Sequence, residues 1–374
     1  MQQPVRIHKR LYPLAFLYGI AVGIRNRLFD WGLLRSCSFD IPVICIGNIT
    51  VGGTGKTPHT EYLIRLLQKK FQVAVLSRGY KRKSKGFILA TMDTPVSQIG
   101  DEPYQMKQKF PNAHVAVDAD RRNGIRKLCK DNIVPEADVI LLDDAYQHRY
   151  VTPGINILLT DYNRLICEDT LLPAGRMREP ASGKNRANII IVTKCPRDIK
   201  PMEYRIITNK LDLRPYQSLY FSAITYGELT PLSTETTAKR PLNSLNDNDN
   251  ILLLTGIASP KQIIKELNKY TNHIESIAFP DHHNFSDKDI EHIKHRFNQL
   301  NEGSRLIITT EKDATRLIKH PRMDKQMLDS IYVLPIEIEF LQEGKEFFNN
   351  QIIRYVTTNS RNCIIHKKQN DNKS

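Results

Sequence analysis

Short apolar runs alternate with helical patterns along most of the chain. Runs rich in β-branched residues lie at 41–47, 73–78, 114–119, 138–144, 155–161 and 188–194. Such runs, separated by helices, are typical of βαβ units and a mostly parallel sheet. The sequence therefore predicts an α/β domain over residues 41–226, with a mostly parallel sheet and flanking helices.

A second, smaller α/β domain is predicted after a change in composition. Residues 227–250 are rich in Thr, Asn, Asp and Pro, which is typical of a linker. The alternation resumes with apolar runs at 251–257, 273–279, 305–313 and 331–340 and with helices from Pro260 and Ser286. The predicted division is an N-terminal segment at 1–40, domains at 41–226 and 251–358, and a polar tail at 359–374.

The charge of the chain points to an anionic partner. The 374 residues carry a formal net charge of +14. Nucleic acid, a phosphorylated small molecule or an anionic membrane surface would each fit this charge. The six cysteines are scattered without a C-x-x-C pair, so neither a zinc site nor a disulfide framework is indicated. Reduced thiols in a cytosolic protein are expected.

The stretch GNITVGGTGKT, residues 47–57, joins a predicted strand to a predicted helix. This is the context of a phosphate-binding loop, in which backbone N–H groups converge on phosphate oxygens. The usual pattern has a glycine where Thr50 stands, but Gly52 and Gly53 can supply the unusual dihedral angles. Lys56 is expected to reach the phosphates and Thr57 to bind Mg²⁺. The candidate nucleotide-binding residues are Thr50, Gly52, Gly53, Thr54, Gly55, Lys56 and Thr57.

Asp143 and Asp144 end the predicted strand DVILLDD. In P-loop proteins an acidic residue at the end of a second buried strand holds the metal ion or its waters. The pair could instead cap a following helix. The upstream Lys56 and Thr57 favour the metal site, and both interpretations stay open at this point.

Two basic clusters lie beside predicted strands or helices, at 77–83 and 120–122. Arginines near the carboxyl edge of a parallel sheet lie where ligands bind, and they suit phosphates. Arg78, its neighbour Gly79 and Arg122 are therefore candidate substrate-binding residues. Solvated side chains are expected for Lys81, Arg82, Lys83 and Lys85.

A hydroxyl acceptor would need a general base, and two motifs offer one. GDEP, residues 100–103, places Asp101 before an amphipathic helix, and FPDHHNF, residues 279–285, places His282 beside Asp281. A His next to an Asp can hold a proton relay. For His282 and His283, a metal site and a plain turn at a helix N-terminus stay open as alternatives.

The apolar segment LYPLAFLYGIAVGI, residues 11–24, is flanked by cations. About 14 residues fall short of the roughly 20 that cross a bilayer. A signal peptide, a core helix and an interfacial helix are the three interpretations. A signal peptide would export a nucleotide enzyme away from ATP. The interfacial helix is favoured, with Arg25 and Arg27 among the headgroups and Trp31 as an anchor.

Eight motifs together resemble the tetraacyldisaccharide 4′-kinase family of lipid A biosynthesis. They occur in order across most of the chain: GNITVGGTGKTP, LSRGYKR, GDEP, LLDDAYQHR, LLPAGRMREP, VTKCP, FPDHHNF and TTEKDA. Each motif is weak alone, and the ordered set is specific. Thr50 in place of the first glycine is itself what this family's loop looks like.

The resemblance implies a kinase that moves the ATP γ-phosphate to the 4′-hydroxyl of a lipid-linked disaccharide 1-phosphate, with ATP and Mg²⁺. It implies a peripheral or monotopic protein on the cytoplasmic face of the bacterial inner membrane, an N-terminal helix that touches the bilayer, and a cleft between the two α/β units. Asp101 is implied as the base, paired with His282. The resemblance implies that the nucleotide, metal or acceptor site is lined by Asp143, Asp144, Gln147, His148, Arg178 and Glu179.

The alternative in another class is a P-loop GTPase or metallochaperone. VTKCP is similar to the TKxD loop that reads guanine, but Pro196 stands where the guanine-reading Asp would be. Nucleic-acid binding is disfavoured because the acidic motifs would lie where phosphates would have to go. No protein partner is implied.

Overall fold

The structure is a computed structural model that describes residues 7–130, 136–233, 238–256, 260–280, 283–318 and 320–359. The chain forms two compact units. The first contains Met1–Ile224 and Ile338–Ser374, and the second contains Thr225–Glu337.

The first unit is built from strands that alternate with helices. In chain order its elements are α1 (Tyr12–Asp30), β1 (Val43–Gly47), α2 (Lys56–Leu67), β2 (Val73–Ser77), β3 (Ile88–Leu89), α3 (Val96–Ile99), α4 (Asp101–Lys109), β4 (His114–Val117), α5 (Arg121–Leu128), β5 (Val139–Asp143), β6 (Ile155–Asp161), β7 (Ile189–Thr193), α6 (Pro201–Leu211) and β8 (Ser218–Tyr226).

The second unit repeats this alternation on a smaller scale. Its elements are β9 (Thr230–Pro231), β10 (Asp249–Thr255), α7 (Lys261–Leu267), β11 (Ile274–Ala278), α8 (Asp287–Asn298), β12 (Ser304–Thr310), α9 (Glu311–Leu317), α10 (Lys325–Asp329) and β13 (Ile331–Leu334). The strand order is β11-β10-β12-β13-β9, and only the pairing of β9 with β13 is antiparallel among the described pairs.

The chain then returns to the first unit as β14 (Ile336–Phe340) and α11 (Gly344–Asn359). The nine-stranded sheet has the order β14-β8-β7-β6-β1-β5-β2-β4-β3. From β8 to β4 the described pairs are parallel, and β3 pairs antiparallel with β4. The mostly parallel α/β class predicted from the sequence is therefore confirmed.

The apolar runs become strands because both faces of this sheet are covered. Alternate residues of β1 enter two different cores, with Val43 and Cys45 in one and Ile44 and Ile46 in the other. All five residues of β1 are buried, as are all five of β5. Strands buried on both faces read as continuous apolar runs, which is how the sequence shows them. The carboxyl ends of β1, β2, β4 and β5 consequently meet at one edge.

Four details differ from the sequence-based expectations. The run 331–340 is two strands in two different sheets, because Pro335 lacks the N–H that a continuous strand needs. The run 305–313 ends as a strand at Thr310, whose side chain accepts a hydrogen bond from the N–H of Asp313 and caps α9. The expected linker 227–250 contains β9 and the start of β10. The last helix of the expected second domain, α11, belongs to the first unit.

Candidate active site

The loop between β1 and α2 has the backbone that phosphate binding needs. Gly52 has a φ of 116° and Gly55 a φ of 84°, values in the region that favours glycine. Lys56 is the first residue of α2, so the N–H groups of the first helical turn lie directly after the loop, where a helix N-terminus can bind an anion. The loop residues singled out in the sequence thus lie in one strand–loop–helix turn.

Thr50 belongs to a short β-bridge, and its φ is not positive. It bridges Met177, and the N–H of Arg178 donates to the carbonyl of Ile49 at 2.7 Å. This position consequently does not require glycine. The bridge also fastens the LLPAGRMREP segment to the phosphate-binding loop.

Side chains at the carboxyl ends of β1 and β7, or one residue beyond them, contact the loop. Asn48 Nδ2 donates to Thr54 Oγ1 at 2.8 Å, and Thr193 Oγ1 donates to the Thr54 carbonyl at 2.9 Å. Lys194 Nζ donates to the Gly53 carbonyl. These contacts hold the Gly53 and Thr54 carbonyls in place and engage Lys194 with the loop.

His59 supports the loop from α2. Its Nδ1 lies 2.7 Å from the Gly55 carbonyl and its Nε2 lies 3.0 Å from Ser222 Oγ. Because a carbonyl only accepts, Nδ1 carries the proton and Nε2 accepts from the serine hydroxyl. Burial lowers the pKa of His59 to about 4, so the ring is neutral at physiological pH.

Asp143 and Asp144 lie at the end of β5 beside the loop. Lys56 Nζ is 3.6 Å from Asp144 Oδ1, and Thr60 Oγ1 donates to Asp143 Oδ1 at 3.0 Å. Ser77 Oγ donates to Asp143 Oδ2 at 3.4 Å. Burial, and then the charge of Asp144, raises the pKa of Asp143. Asp143 is buried and Asp144 is exposed, so the pair presents one carboxylate to the interior and one to the solvent side of the loop. Two neighbouring carboxylates that repel each other are suited to binding a cation.

The helix-capping interpretation of this pair is wrong. Residues 144–150 form turns, and the next regular element in this described stretch is β6. Among the described residues, no group of three or more His, Cys, Asp or Glu could hold a metal on its own. Thr57 and the two aspartates nevertheless fit Mg²⁺, which prefers oxygen ligands and usually takes only one or two carboxylates together with water and substrate phosphates.

Arg121, rather than Arg122, is the buried arginine near these carboxylates. It begins α5 and is 3% exposed. Burial, and then the charge of Arg78, lowers the pKa of the Arg121 guanidinium, while Asp143 and Asp144 act in the opposite direction. Buried arginines are rare unless they are paired, so this one marks the site.

Arg122 contacts Asp120 and the ring of Tyr150. Its Nε lies 3.2 Å from Asp120 Oδ1, and its guanidinium lies 4.9 Å from the centre of the Tyr150 ring. The substrate-binding role expected for Arg122 stays a prediction.

The AYQHR segment gathers several other candidate residues. Arg178 Nη1 donates to Gln147 Oε1 at 3.3 Å, and Arg25 of α1 donates to the Gln147 carbonyl at 3.1 Å. Burial, and then the charge of Arg121, lowers the pKa of His148 to about 4. The buried Nε2 of His148 has no hydrogen-bond partner among the described residues. A neutral ring with an unused nitrogen is suited to a ligand group.

Glu179 forms an ion pair with an arginine. Its Oε2 lies 2.6 Å from Arg186 Nη2, whose guanidinium lies over the Tyr146 ring at 5.0 Å. The other oxygen, Oε1, is buried without a hydrogen-bond partner in the described part of the chain. A metal-binding role for Glu179 stays a prediction.

Asp101 begins α4 next to the Gly79 turn. Gly100 has a φ of 89°, and a Cβ there would lie 2.8 Å from the Tyr80 carbonyl. A Cβ on Gly79 would lie 2.9 Å from the Ile99 carbonyl. The two turns therefore pack backbone against backbone, which requires glycine in both and brings Arg78 and Asp101 into one region.

The expected partner of Asp101, His282, lies outside the described residues, as does Asp281. The pairing stays a prediction. His283 is described, and its Nε2 lies 3.0 Å from Asp289 Oδ2 while its ring stacks on Phe279. These contacts give His283 a role in holding the start of α8.

The helix α1 lies against the candidate residues with one side. Tyr18 Oη donates to the Arg178 carbonyl at 2.9 Å, and Arg149 Nη2 lies 2.6 Å from Asp30 Oδ1. Its buried residues are Ala15 and Phe29, so the core-helix interpretation is wrong. The exposed large apolar residues in and just after the helix are Tyr12, Leu14, Phe16, Leu17, Ile20, Ile24, Trp31 and Leu33. Over the described ranges, no helix is long and apolar enough to cross a membrane.

Sequence reasoning missed Arg121 and His59. Arg121 stands beside the arginine that was chosen, and only its burial distinguishes the two. His59 makes its second contact with a residue 163 positions away, which no local pattern reveals. A histidine one turn into the helix after G-K-T was the available signal.

The nine-stranded, mostly parallel sheet, the phosphate-binding loop and the aspartates at the neighbouring strand end define a P-loop phosphotransferase-type protein. The comparisons name the family. The family model "Tetraacyldisaccharide-1-P 4'-kinase" matches residues 7–356, and the chain belongs to this family.

Curated relatives and a solved structure agree. The tetraacyldisaccharide 4'-kinase of Phocaeicola vulgatus is 62% identical over 358 residues, which cover 96% of this chain and 98% of that protein. That of Porphyromonas gingivalis W83 is 44% identical over 367 residues, covering 97% and 99%. LpxK from Aquifex aeolicus, solved in complex with ATP, matches with a TM-score of 0.72 and 28% identity over 93% of this chain and 99% of that one.

Proposed function

We propose that this chain transfers the γ-phosphate of ATP to the 4′-hydroxyl of a tetraacyldisaccharide 1-phosphate in lipid A biosynthesis. The observation that carries the proposal is the approach of Lys56 to within 3.6 Å of Asp144 at a phosphate-binding loop, in a chain whose family is named for this reaction. Phosphoryl transfer depends mainly on positioning and charge neutralisation, and this arrangement offers both.

Mg²⁺ would be held by Thr57, Asp143 and Asp144, with Glu179 as a further candidate. Held by these residues, Mg²⁺ would supply positive charge that offsets the negative charge of the phosphate groups. Burial, and then the charge of Asp144, raises the pKa of Asp143, and a bound cation would offset both effects. Lys56, paired with Asp144 here, would turn its ammonium group to the β- and γ-phosphates.

Asp101 would accept the proton of the acceptor hydroxyl, and His282 would orient Asp101 and share the proton. The nearby Arg78 supports this assignment, because a guanidinium beside the base can hold an anionic acceptor. Arg121 and Arg178 would spread the charge that develops during transfer. Gln147 and His148 would contact the nucleotide or the acceptor.

The apolar side of α1 supports attachment of the protein to a membrane. Phe16 is 70% exposed and Leu17 is 62% exposed, although both are large and apolar. An exposed apolar patch on one helix, next to Arg25 and Arg27 and on a chain of charge +14, supports peripheral or monotopic attachment to an anionic membrane. The proposed location is the cytoplasmic face of the inner membrane, where ATP is available.

The central test is γ-phosphate transfer from labelled ATP to tetraacyldisaccharide 1-phosphate in detergent micelles. Wild type should label the lipid, and Lys56→Ala should not. Lys69→Ala, which removes an exposed lysine just beyond the other end of α2, is the matched control and should behave as wild type. ATP consumption without labelled lipid would refute the kinase proposal, and strong preference for GTP would revive the GTPase alternative.

The base is tested by Asp101→Asn. Removing a general base should lower kcat by about 10²–10⁴-fold with little change in the KM for ATP. Asp93→Asn, at an exposed turn before α3, is the control. Turnover of Asp101→Asn within threefold of wild type would remove Asp101 from this role.

Membrane attachment is tested by a triple variant, Phe16→Ser with Leu17→Ser and Ile20→Ser. It should lose most of its sedimentation with anionic vesicles. The control is Met202→Ser with Ile206→Ser, which removes exposed apolar side chains of α6 in the same unit. Equal sedimentation of both variants and wild type would overturn the attachment proposal.

A further inference from the structure

A buried carboxylate on α2 joins this helix to α4. Glu61 is 1% exposed. Its Oε2 accepts hydrogen bonds from Lys109 Nζ at 2.6 Å and from Arg65 Nη2 at 3.2 Å, and its Oε1 accepts from Gln105 Nε2 at 3.0 Å. Two of these donors belong to α4 and one to α2 itself. A buried carboxylate is stable only when such donors replace the water it has lost.

The helices joined by Glu61 carry proposed reaction groups at their first turns. Thr57 lies one turn before Glu61 on α2, and Asp101 lies one turn before Gln105 on α4. Residues four positions apart share a helix face. The face of α2 with the proposed Mg²⁺ ligand therefore also carries Glu61, and the face of α4 with the proposed base also carries a partner of Glu61.

Both helices start at the same edge of the sheet. The helix α2 leads into β2 and α4 leads into β4, and these two strands pair in parallel. Beside Glu61, Thr60 donates to Asp143 Oδ1 at 3.0 Å and so ties α2 to the end of β5. The phosphate-binding loop, a carboxylate of the proposed metal site and the helix of the proposed base are consequently all anchored to α2.

Apolar packing alone holds α4 weakly along its axis. Of its nine residues, all described, Pro103 and Met106 are the two that are buried. Met106 lies in the same core as Leu63 and Ile64 of α2. Apolar contacts have no preferred direction, whereas charge-assisted hydrogen bonds fix distance and angle. The bonds of Glu61 therefore set where α4 lies along α2.

We propose that Glu61 is a positioning residue, which holds α4 and with it Asp101 in register with the phosphate-binding loop. The inference rests on the proposed function and adds to it a residue that acts through another. Both oxygens of Glu61 are engaged by side chains, so its effect on the reaction passes through α4. A displacement of about 1 Å in a reacting group can lower turnover about 10²-fold.

The first test is Glu61→Gln, which keeps the size of the side chain and removes its charge. The kcat for lipid phosphorylation should fall about 10–100-fold, because Asp101 is displaced, with the KM for ATP within about twofold of wild type. A kcat within about twofold of wild type would overturn the proposal.

Asp249→Asn is the matched control. Asp249 is also a carboxylate with 1% exposure, and its Oδ2 lies 2.7 Å from Arg240 Nη2 in the second unit, outside the residues assigned to the reaction. The control should lower stability, as Glu61→Gln does, and leave kcat within about twofold of wild type. A kcat loss of equal size in both variants would overturn the proposal, because general destabilisation would then explain it.

A double-mutant cycle tests whether Glu61 acts through Asp101. In the Asp101→Asn background, Glu61→Gln should lower kcat less than about twofold, because the group it positions is already disabled. The full loss in that background would overturn the proposal. If Glu61→Gln does not fold, Lys109→Gln, which removes a cation that is only partly buried, should show the same pattern with a loss of about threefold or more.

Amide hydrogen exchange without substrate separates this proposal from the kinase reaction. Glu61→Gln should speed exchange in peptides that cover α4 about tenfold and leave those that cover α5 unchanged. Unchanged exchange in α4 would overturn the role of Glu61, whatever the enzyme does. Wild type that labels no lipid would refute the kinase proposal, and the exchange of α4 would then decide by itself whether Glu61 holds this helix.

Discussion

The pH dependence of stability should carry a contribution from His59 that can be isolated by mutation. This side chain is 4% exposed and uses both ring nitrogens, towards the Gly55 carbonyl and Ser222 Oγ. Burial lowers its pKa from 6.5 to about 4. The unfolded chain, in which the ring is solvated, has the ordinary value. Between these two pKa values the unfolded state therefore binds more protons than the folded state.

The sign and size of the effect follow from linkage. Stability is highest above the ordinary pKa, falls as the pH drops below it, and stops falling near pH 4, where the folded protein takes up the proton as well. Each pH unit between the two pKa values is worth about 1.4 kcal/mol, so the full effect is about 3 kcal/mol. Between pH 7.5 and pH 5 the loss assigned to His59 is about 2 kcal/mol.

His59→Gln isolates this contribution. Glutamine can keep a donor and an acceptor but cannot titrate, so the free-energy difference between wild type and variant should shift by about 2 kcal/mol in favour of the variant when the pH falls from 7.5 to 5. Other titrating groups cancel in this difference because both proteins contain them.

Unfolding of the first unit can be followed at Cys45, which is 2% exposed in β1. Short pulses of a pyridyl disulfide, which reacts with thiols in mildly acidic solution, would label Cys45 at each urea concentration, and peptide mass spectrometry would give the midpoint. The reasoning would be refuted if the difference in unfolding free energy between wild type and His59→Gln were the same at both pH values to within 0.5 kcal/mol, which is about the resolution of such a comparison. The His59 ring would then titrate near its ordinary pKa. The assignment of a neutral ring that supports the phosphate-binding loop would be wrong.

Three further outcomes are expected. Phe348→Ala should lower the free energy of unfolding by about 3–5 kcal/mol in urea titrations, because the Phe348 side chain is buried. Phe347→Ala, at the exposed neighbouring position, should change it by about 0.5 kcal/mol or less. Equal effects of the two substitutions would contradict the packing of α11. Gly100→Ala should lower the free energy of unfolding by about 1–3 kcal/mol in the same titrations, because the backbone angles of Gly100, φ 89° and ψ 165°, strongly favour glycine. Gly23→Ala in α1 should not destabilise the protein. An unchanged urea midpoint for Gly100→Ala would refute this prediction. Lys194→Met should raise the KM for ATP about fivefold, with kcat nearly unchanged, because the hydrogen bond from Lys194 to the Gly53 carbonyl is lost. An unchanged KM would show that Lys194 does not support the loop.

The sequence by itself determined the local features of this protein. Runs such as VICIG and VILLD are apolar at every position because both faces of the sheet are covered, so their strands can be read from neighbouring residues alone. The phosphate-binding loop and the aspartates at a strand end are likewise short motifs. The order of eight such motifs sufficed for the family, because each motif depends on only a few adjacent residues.

The tertiary structure decided what depends on residues far apart in the chain. Pro335 marks the place where one apolar run divides between two sheets, but only the fold sends β14 and α11 back to the first unit. Arg121 and Arg122 are indistinguishable by type, and the packing of α5 buries Arg121 but leaves Arg122 only half-buried. His59 meets Ser222 only because α2 and β8 converge. Burial and partners of this kind come from long-range packing, which local patterns do not encode.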